Sequence, residues 1–229
     1  MRQLVMRPLI VIASLLAGAS AIPAMGQVSG SIGIGAPDVN LALHFGAYPQ
    51  FIPVPGYPVY YAPQVDANYF FYDGMYWVYQ NDNWYASSWY NGPWALVSPM
   101  IVPVYVLRVP VRYYRAPPVY FRGWRPDAPP RWGEHWGQSW AHQHVGWDRT
   151  NHGQAPAIAP LPSYQQKYYG KTYPSYEQQR SIGHENYGYQ PREPVVQQHY
   201  QRYETPAARR QEGNEDKGHD HDHDHDKGN

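Results

Sequence analysis

Four histidines near the C-terminus are the residues whose spacing most directly suggests chemistry. His219, His221, His223 and His225 alternate with Asp220, Asp222, Asp224 and Asp226. Imidazole and carboxylate together suit Zn²⁺, Cu²⁺ or Ni²⁺, with copper favoured by intrinsic affinity. The aspartates raise the local cation concentration and orient the imidazoles. Overlapping subsets of the eight residues could bind, so the expected affinity is modest and the stoichiometry loose. No other cofactor is expected.

A second chemical signal lies between residues 108 and 131. Arg108, Arg112, Arg115, Arg122, Arg125 and Arg131 fall there with one acid, Asp127, and with Tyr113, Tyr114, Tyr120, Phe121 and Trp124 interleaved. Guanidinium pairs bidentately with phosphate and carboxylate, so an anionic ligand could bind. The competing expectation is that these arginines lie over the protein's own rings as cation–π lids. A third signal is aromatic. Trp77, Trp84, Trp89 and Trp94 offer flat faces that could stack on a glycan, or they could form the core of a domain poor in leucine.

Catalysis has weak support. Glu134, His135, His142 and His144 are the nearest approach to a catalytic cluster, and His135 and His142 would share a side of a helix. The spacing of two histidines four apart with an intervening glutamate is absent, as are a nucleophile elbow and a phosphate-binding loop. The expectation is a non-enzymatic protein. With Cys 0, a disulfide framework, thiolate zinc sites and cysteine catalysis are excluded. A formal net charge of +0 gives no global field that would favour nucleic acid.

The elements that must position these residues are mainly β. Tyr 23, Trp 9 and Phe 5 stand beside Gly 20 and Pro 24. From residue 27 onward aromatics outnumber Val, Leu and Ile together, unlike the aliphatic strands of a buried parallel sheet. Turn signals recur at Asp73-Gly74, Asn81-Asp82-Asn83 and Asn91-Gly92, about nine residues apart, with aromatic segments between them. They predict a small aromatic-rich β-meander in which Met75, Trp77 and Tyr79 point one way and Tyr76 and Val78 the other. Pro37-Asp38 predicts a hairpin between short alternating runs. The prolines from Pro49 to Pro63 forbid a helix and confine strands to edges. Ile101 to Leu107 could pair as an edge strand. Beyond Pro110 an extended or polyproline II course is expected. Residues 132–147 predict one short helix, because Trp132, Trp136 and Trp140 repeat every four residues and Trp147 falls on the same side.

Residues 1–26 read as a secretory signal peptide. Arg2 and Arg7 precede an apolar run from Leu9 to Ala17, and Ala24-Met25-Gly26 suits cleavage before Gln27. The remaining divisions are 27–67, short strands and a proline-rich connection; 68–150, the meander, the Pro/Arg-rich segment and the Trp helix; 151–218, a Gln/Tyr/Pro-rich tail expected to be disordered; and 219–226, the His/Asp tract. No segment after the signal is apolar enough to span a membrane as a helix.

Several motifs together carry a resemblance. NYFFYDGMYWVY, NWYASSWYNGPW, VPVYVLRVPVRYYR and APPRWGEHW resemble a family of exported Gram-negative proteins that has no established activity. The resemblance covers roughly residues 27–205 and implies a periplasmic or outer-envelope location. It supplies no site residues. The functional expectation is an exported structural or interaction protein contacting a glycan, lipopolysaccharide, a protein or another anionic envelope component, with no nucleic-acid partner. The alternative is a periplasmic protein that binds or buffers divalent metal through its His/Asp tract.

Overall fold

A computed structural model describes residues 34–38, 43, 45–149 and 155–204. Its centre is a seven-stranded antiparallel sheet in the order β1-β7-β6-β5-β4-β3-β2. The strands are β1 (Ile34–Asp38), β2 (Ile52–Pro53), β3 (Val59–Tyr61), β4 (Asn68–Tyr72), β5 (Met75–Gln80), β6 (Asn83–Ser87) and β7 (Trp94–Val97). Strands β2 to β7 are a simple meander, and β1 joins it at the β7 edge. The hairpin turns at Asp73-Gly74 and Asn81-Asp82 fall where the sequence places them. Asp73 and Gly74 have φ of 49° and 89°, and Asn81 and Asp82 have φ of 50° and 63°, as two-residue hairpin connections require. At Gly92 (φ 84°) a Cβ would stand 2.8 Å from Trp94 Cδ1, so glycine is the residue that fits. The proline-rich segment contributes β2, an edge strand that ends at Pro53, but also β3, which pairs with both β2 and β4 and so is not confined to an edge.

Register sorts the aromatics onto two faces. On one, Phe70 pairs with Trp77, Trp77 with Ala86 and Ala86 with Ala95, so the indole lies beside small neighbours. The neighbouring row on that face runs from Tyr79 through Trp84 to Val97. On the other, Tyr60 pairs with Phe71, Phe71 with Tyr76, and Tyr69 with Val78. Every residue of β4 is buried, as is β5 from Met75 to Tyr79. A sheet with one wet face would alternate; here both faces are covered.

The first face is covered by residues 100–147 and part of the last helix. Val102, Val106, Leu107, Tyr114, Phe121, Trp132, Trp140, Val196 and Tyr200 belong to its core. The second is covered from both flanks of the meander, by Leu43, Phe45, Tyr48 and Phe51 on one side and by Ala159, Leu161, Tyr173, Tyr187 and Tyr189 on the other.

Four expectations about local structure are corrected. Pro37-Asp38 is not a turn: Pro37 pairs with Ala95 and Asp38 with Trp94 inside β1. Ile101 to Leu107 is not a strand. A 3₁₀ turn at Pro99–Ile101, capped by the Ser98 side chain, leads into α1 (Val104–Leu107), because Pro103 is a permitted helix entry and Val106 and Leu107 face the core. The Trp helix is two helices, α2 (Trp132–Trp136) and α3 (Gln138–Gln143), broken where Gly137 adopts φ 84°. Its tryptophans still form a continuous ladder. Ring centroids are 4.3 Å apart for Trp132 and Trp136, 5.1 Å for Trp136 and Trp140, and 5.4 Å for Trp140 and Trp147.

The fourth correction concerns the tail. Residues 155–204 are folded against the sheet and include α4 (Tyr176–Asn186) and α5 (Pro194–Glu204). Ser175 caps α4 in a reciprocal box with Gln178. Val196 and His199 are fully buried. The Asp73 carboxylate, itself only 5% exposed, accepts the backbone N–H groups of Arg192 and Glu193 at 2.8 Å each and the Tyr189 hydroxyl at 2.5 Å. The β4–β5 turn is thereby tied to the start of α5. No described helix is long and apolar enough to cross a membrane. The expected signal peptide, residues 1–26, and the His/Asp tract, 219–226, lie outside the described residues.

Candidate functional site

The aromatic platform is not at the surface. Trp77, Trp84, Trp89 and Trp94 are 0%, 0%, 1% and 3% exposed. Their positions on a sheet covered on both sides leave no face for a sugar ring, which corrects the glycan-stacking expectation. They are core residues, and Trp89 donates its indole N–H to Gln179 O at 3.2 Å.

The arginines occupy a layer over the first face. Between Pro110 and Arg131 the chain runs as short 3₁₀ turns, Val111–Tyr113 and Val119–Phe121, joined by irregular segments. Buried Tyr114 and Phe121 anchor it from below. Asn68 holds it by a pair of bonds, donating to Ala116 O at 2.7 Å and accepting from Ala116 N at 2.9 Å. Backbone bonds from Val111 to Ala128 and from Arg112 to Pro126 bring the two ends of the layer together. Arg112, Arg115, Arg122, Arg125 and Arg131 are all exposed, and Arg108 is half-buried.

The arginines divide by partner. Arg108 donates to Trp147 O and lies over the Tyr105 ring. Arg112 lies over Tyr113 at 5.9 Å. Arg125 reaches Asp127 and Arg131 reaches Glu134, each at 3.4 Å and in water. Among the described residues the Arg115 and Arg122 side chains make no ion pair or ring contact. The cation–π expectation therefore describes Arg108 and Arg112 only.

The expected Glu134–His135–His142–His144 cluster does not converge. Glu134 pairs with Arg131. His142 is exposed. His144 stacks on Trp140 at 4.2 Å and binds main-chain carbonyls. His135 joins a different set. Its Nε2 is 2.6 Å from Asp82 Oδ1, which also accepts the Tyr79 hydroxyl at 2.5 Å and the Tyr120 hydroxyl at 2.9 Å. The two hydroxyls touch each other. The imidazole lies flat on the Tyr120 ring, with centroids 4.0 Å apart and planes at 9°.

Each member is placed by a different element. Tyr79 is at the end of β5, Asp82 in the following turn, Tyr120 in a 3₁₀ turn docked by Phe121, and His135 on α2, docked by Trp132. Burial pushes the Tyr79 hydroxyl well above its usual range, and the bonds to Asp82 and Tyr120 push it further. Tyr120 is raised for the same first reason; its bond with Tyr79 lowers it and that with Asp82 raises it. For Asp82 burial acts upward, but the bonds from Tyr79, Tyr120 and His135 outweigh it and hold the carboxyl below its usual range. Local sequence gives no sign of this set, because Asp82 and His135 are 53 residues apart.

Elsewhere, a cavity of about 20 Å³ lies between Gly74, Trp89, Gln179 and Tyr200, with room for one water. Comparison with protein-family models, curated proteins and solved structures finds no match for this chain.

Proposed function

We propose that this is an exported, non-enzymatic protein of the Gram-negative envelope that holds an anionic envelope component, such as the phosphate groups of lipopolysaccharide, on its arginine layer. Export is supported by the signal-like character of residues 1–26 and by the motif resemblance. The observation that carries the ligand class is the exposure of Arg112, Arg115, Arg122 and Arg125 on a layer whose backbone is fixed by Tyr114, Phe121 and Asn68. A fixed backbone leaves less freedom to lose on binding than a loose loop does. Among the described residues Arg115 and Arg122 make no ion pair or ring contact that would have to be released, and the Arg125–Asp127 pair is exposed and weak.

Vesicles carrying lipopolysaccharide test this reading. The protein should bind them, more weakly as salt is raised, and should bind dephosphorylated lipopolysaccharide or neutral phospholipid less. Replacing Arg112, Arg115, Arg122 and Arg125 together by Gln should weaken binding at least about tenfold, which is about 1.4 kcal/mol. Equal binding by wild type and variant would overturn the assignment.

A further inference from the structure

We propose that Tyr79, Asp82, Tyr120 and His135 form a binding site for a hard trivalent cation, with Fe³⁺ as the ion the donor set fits best. The site is separate from the arginine-layer reading and from the His/Asp tract.

Geometry supplies the first argument. Two phenol oxygens and one imidazole nitrogen lie within 2.9 Å of a single carboxylate oxygen. Four potential ligands from four elements thus meet at one point. The turn that follows β5, with Asn81 and Asp82 both at positive φ, folds the Asp82 carboxylate back over Tyr79. Phe121 and Trp132, 4% and 0% exposed, fix the other two elements. The Asp82 side chain is 55% exposed and that of His135 20%, so the ion and the waters completing its coordination can reach the site from solvent.

Charge and donor type supply the second. When both phenols ionise, the set offers two phenolates, one carboxylate and one neutral imidazole, a total charge of −3 that a trivalent ion cancels. The balance is simple: Fe³⁺ enters, two phenol protons leave to solvent, and no electron moves. His135 binds through Nε2, its own proton then residing on Nδ1. Ca²⁺ and Mg²⁺ prefer carboxylate, carbonyl and water oxygens and make no use of an imidazole. Zn²⁺ favours nitrogen and sulfur donors. A phenol proton is displaced by a strong Lewis acid, and tyrosinate is an established ligand of ferric iron.

The test uses the full-length chain titrated with Fe³⁺ supplied as its nitrilotriacetate complex. A visible phenolate-to-iron charge-transfer absorption should grow and saturate at one ion per chain. Carboxylate and imidazole give no such band, so iron on the His/Asp tract does not interfere. Tyr79→Phe combined with Tyr120→Phe should abolish the band. Tyr120→Phe alone should diminish or shift it, and removes only one partly exposed hydroxyl, so the fold survives if the double variant fails. Asp82→Asn should weaken binding at least tenfold, whereas Tyr169→Phe, at an exposed tyrosine far along the chain, should change nothing. Near-ultraviolet circular dichroism checks that each variant is folded. No visible band on the wild type at saturating iron, a band unchanged in folded Tyr120→Phe and Asp82→Asn variants, or displacement of the iron by equimolar Zn²⁺ would each overturn the assignment and leave the four groups a hydrogen-bonded brace.

Discussion

The two faces of the sheet are sealed by different chemistry. On the face bearing Trp77 and Trp84, the cover is aliphatic and indole: Val106, Leu107, Trp132 and Trp140. Trp132 there meets Tyr79 and Trp84 edge to face and stacks on Trp136. Tyr114, buried, has no hydrogen-bond partner for its hydroxyl among the described residues. On the face bearing Tyr69 and Tyr76, the cover is tyrosine and glutamine. Gln165, 0% exposed, accepts from the Tyr76 hydroxyl at 3.0 Å and from Tyr90 N at 3.1 Å, and donates to Ser88 O at 3.0 Å. Tyr69 donates to Tyr90 O, Tyr90 to Tyr168 O and Tyr173 to Gly92 O. Gln179 bridges Gly92 O and Pro174 O.

The difference explains why residues 155–204 fold. A segment short of Val, Leu and Ile is expected to stay unfolded because it cannot bury enough apolar surface to offset chain entropy. Tyrosine circumvents that limit. Its ring buries as much area as phenylalanine, and its hydroxyl satisfies a main-chain carbonyl that would otherwise be stranded. Buried Gln165 and Gln179 do the same for backbone groups in turns.

Truncation is the strongest way to break the comparison. A chain ending at residue 150 should lose its cooperative thermal transition, because the Tyr69–Tyr76 face would be left open. A chain ending at 204 should keep the melting temperature of the full chain. Limited proteolysis should likewise leave a core that ends near 204. A core ending near 150 would mean that the second cover is dispensable.

A pair of hydroxyl deletions sharpens it. Tyr69→Phe strands the Tyr90 carbonyl in a buried site and should cost about 1–3 kcal/mol in urea unfolding. Tyr114→Phe removes a buried hydroxyl without a partner, so it should be neutral or stabilising by up to about 1 kcal/mol. Equal losses at both positions would show that the faces do not differ in the way described.

The smallest expected effect is at their junction. Glu193 accepts the Tyr72 hydroxyl at 2.6 Å beside Asp73. Burial pushes its carboxyl above the usual range, with the Asp73 charge adding to the rise; the bonds from Tyr72 and the Val104 N–H and the nearby Arg108 oppose it. The folded chain therefore holds this proton where the unfolded chain has released it. Stability should fall as pH rises from the ordinary glutamate value through the raised one. Glu193→Gln should flatten that slope above about pH 4, the ordinary glutamate range. A slope unchanged in urea melts of the variant would assign the titration to another group.

What the sequence determined by itself was local. Asp73-Gly74 and Asn81-Asp82 set two hairpin turns because these residues tolerate positive φ. The alternation of Met75, Trp77 and Tyr79 with Tyr76 and Val78 split the strand between two faces, since successive Cβ atoms point oppositely. The crowding of proline at 49–63 kept helix out of that stretch but did not confine its strands to an edge, since β3 is paired on both sides. The break at Gly137 was half-legible, since the tryptophan period held while the glycine ended the helix. Only the tertiary structure decided what covers each face, because burial depends on partners distant in the chain. Tyr76 and Gln165 are 89 residues apart, and no window of neighbouring residues reports that they meet. The same holds for Tyr79, Asp82, Tyr120 and His135. Each reads alone as a strand, turn, loop or helix residue, and their convergence exists only once the arginine layer and α2 have docked on the sheet.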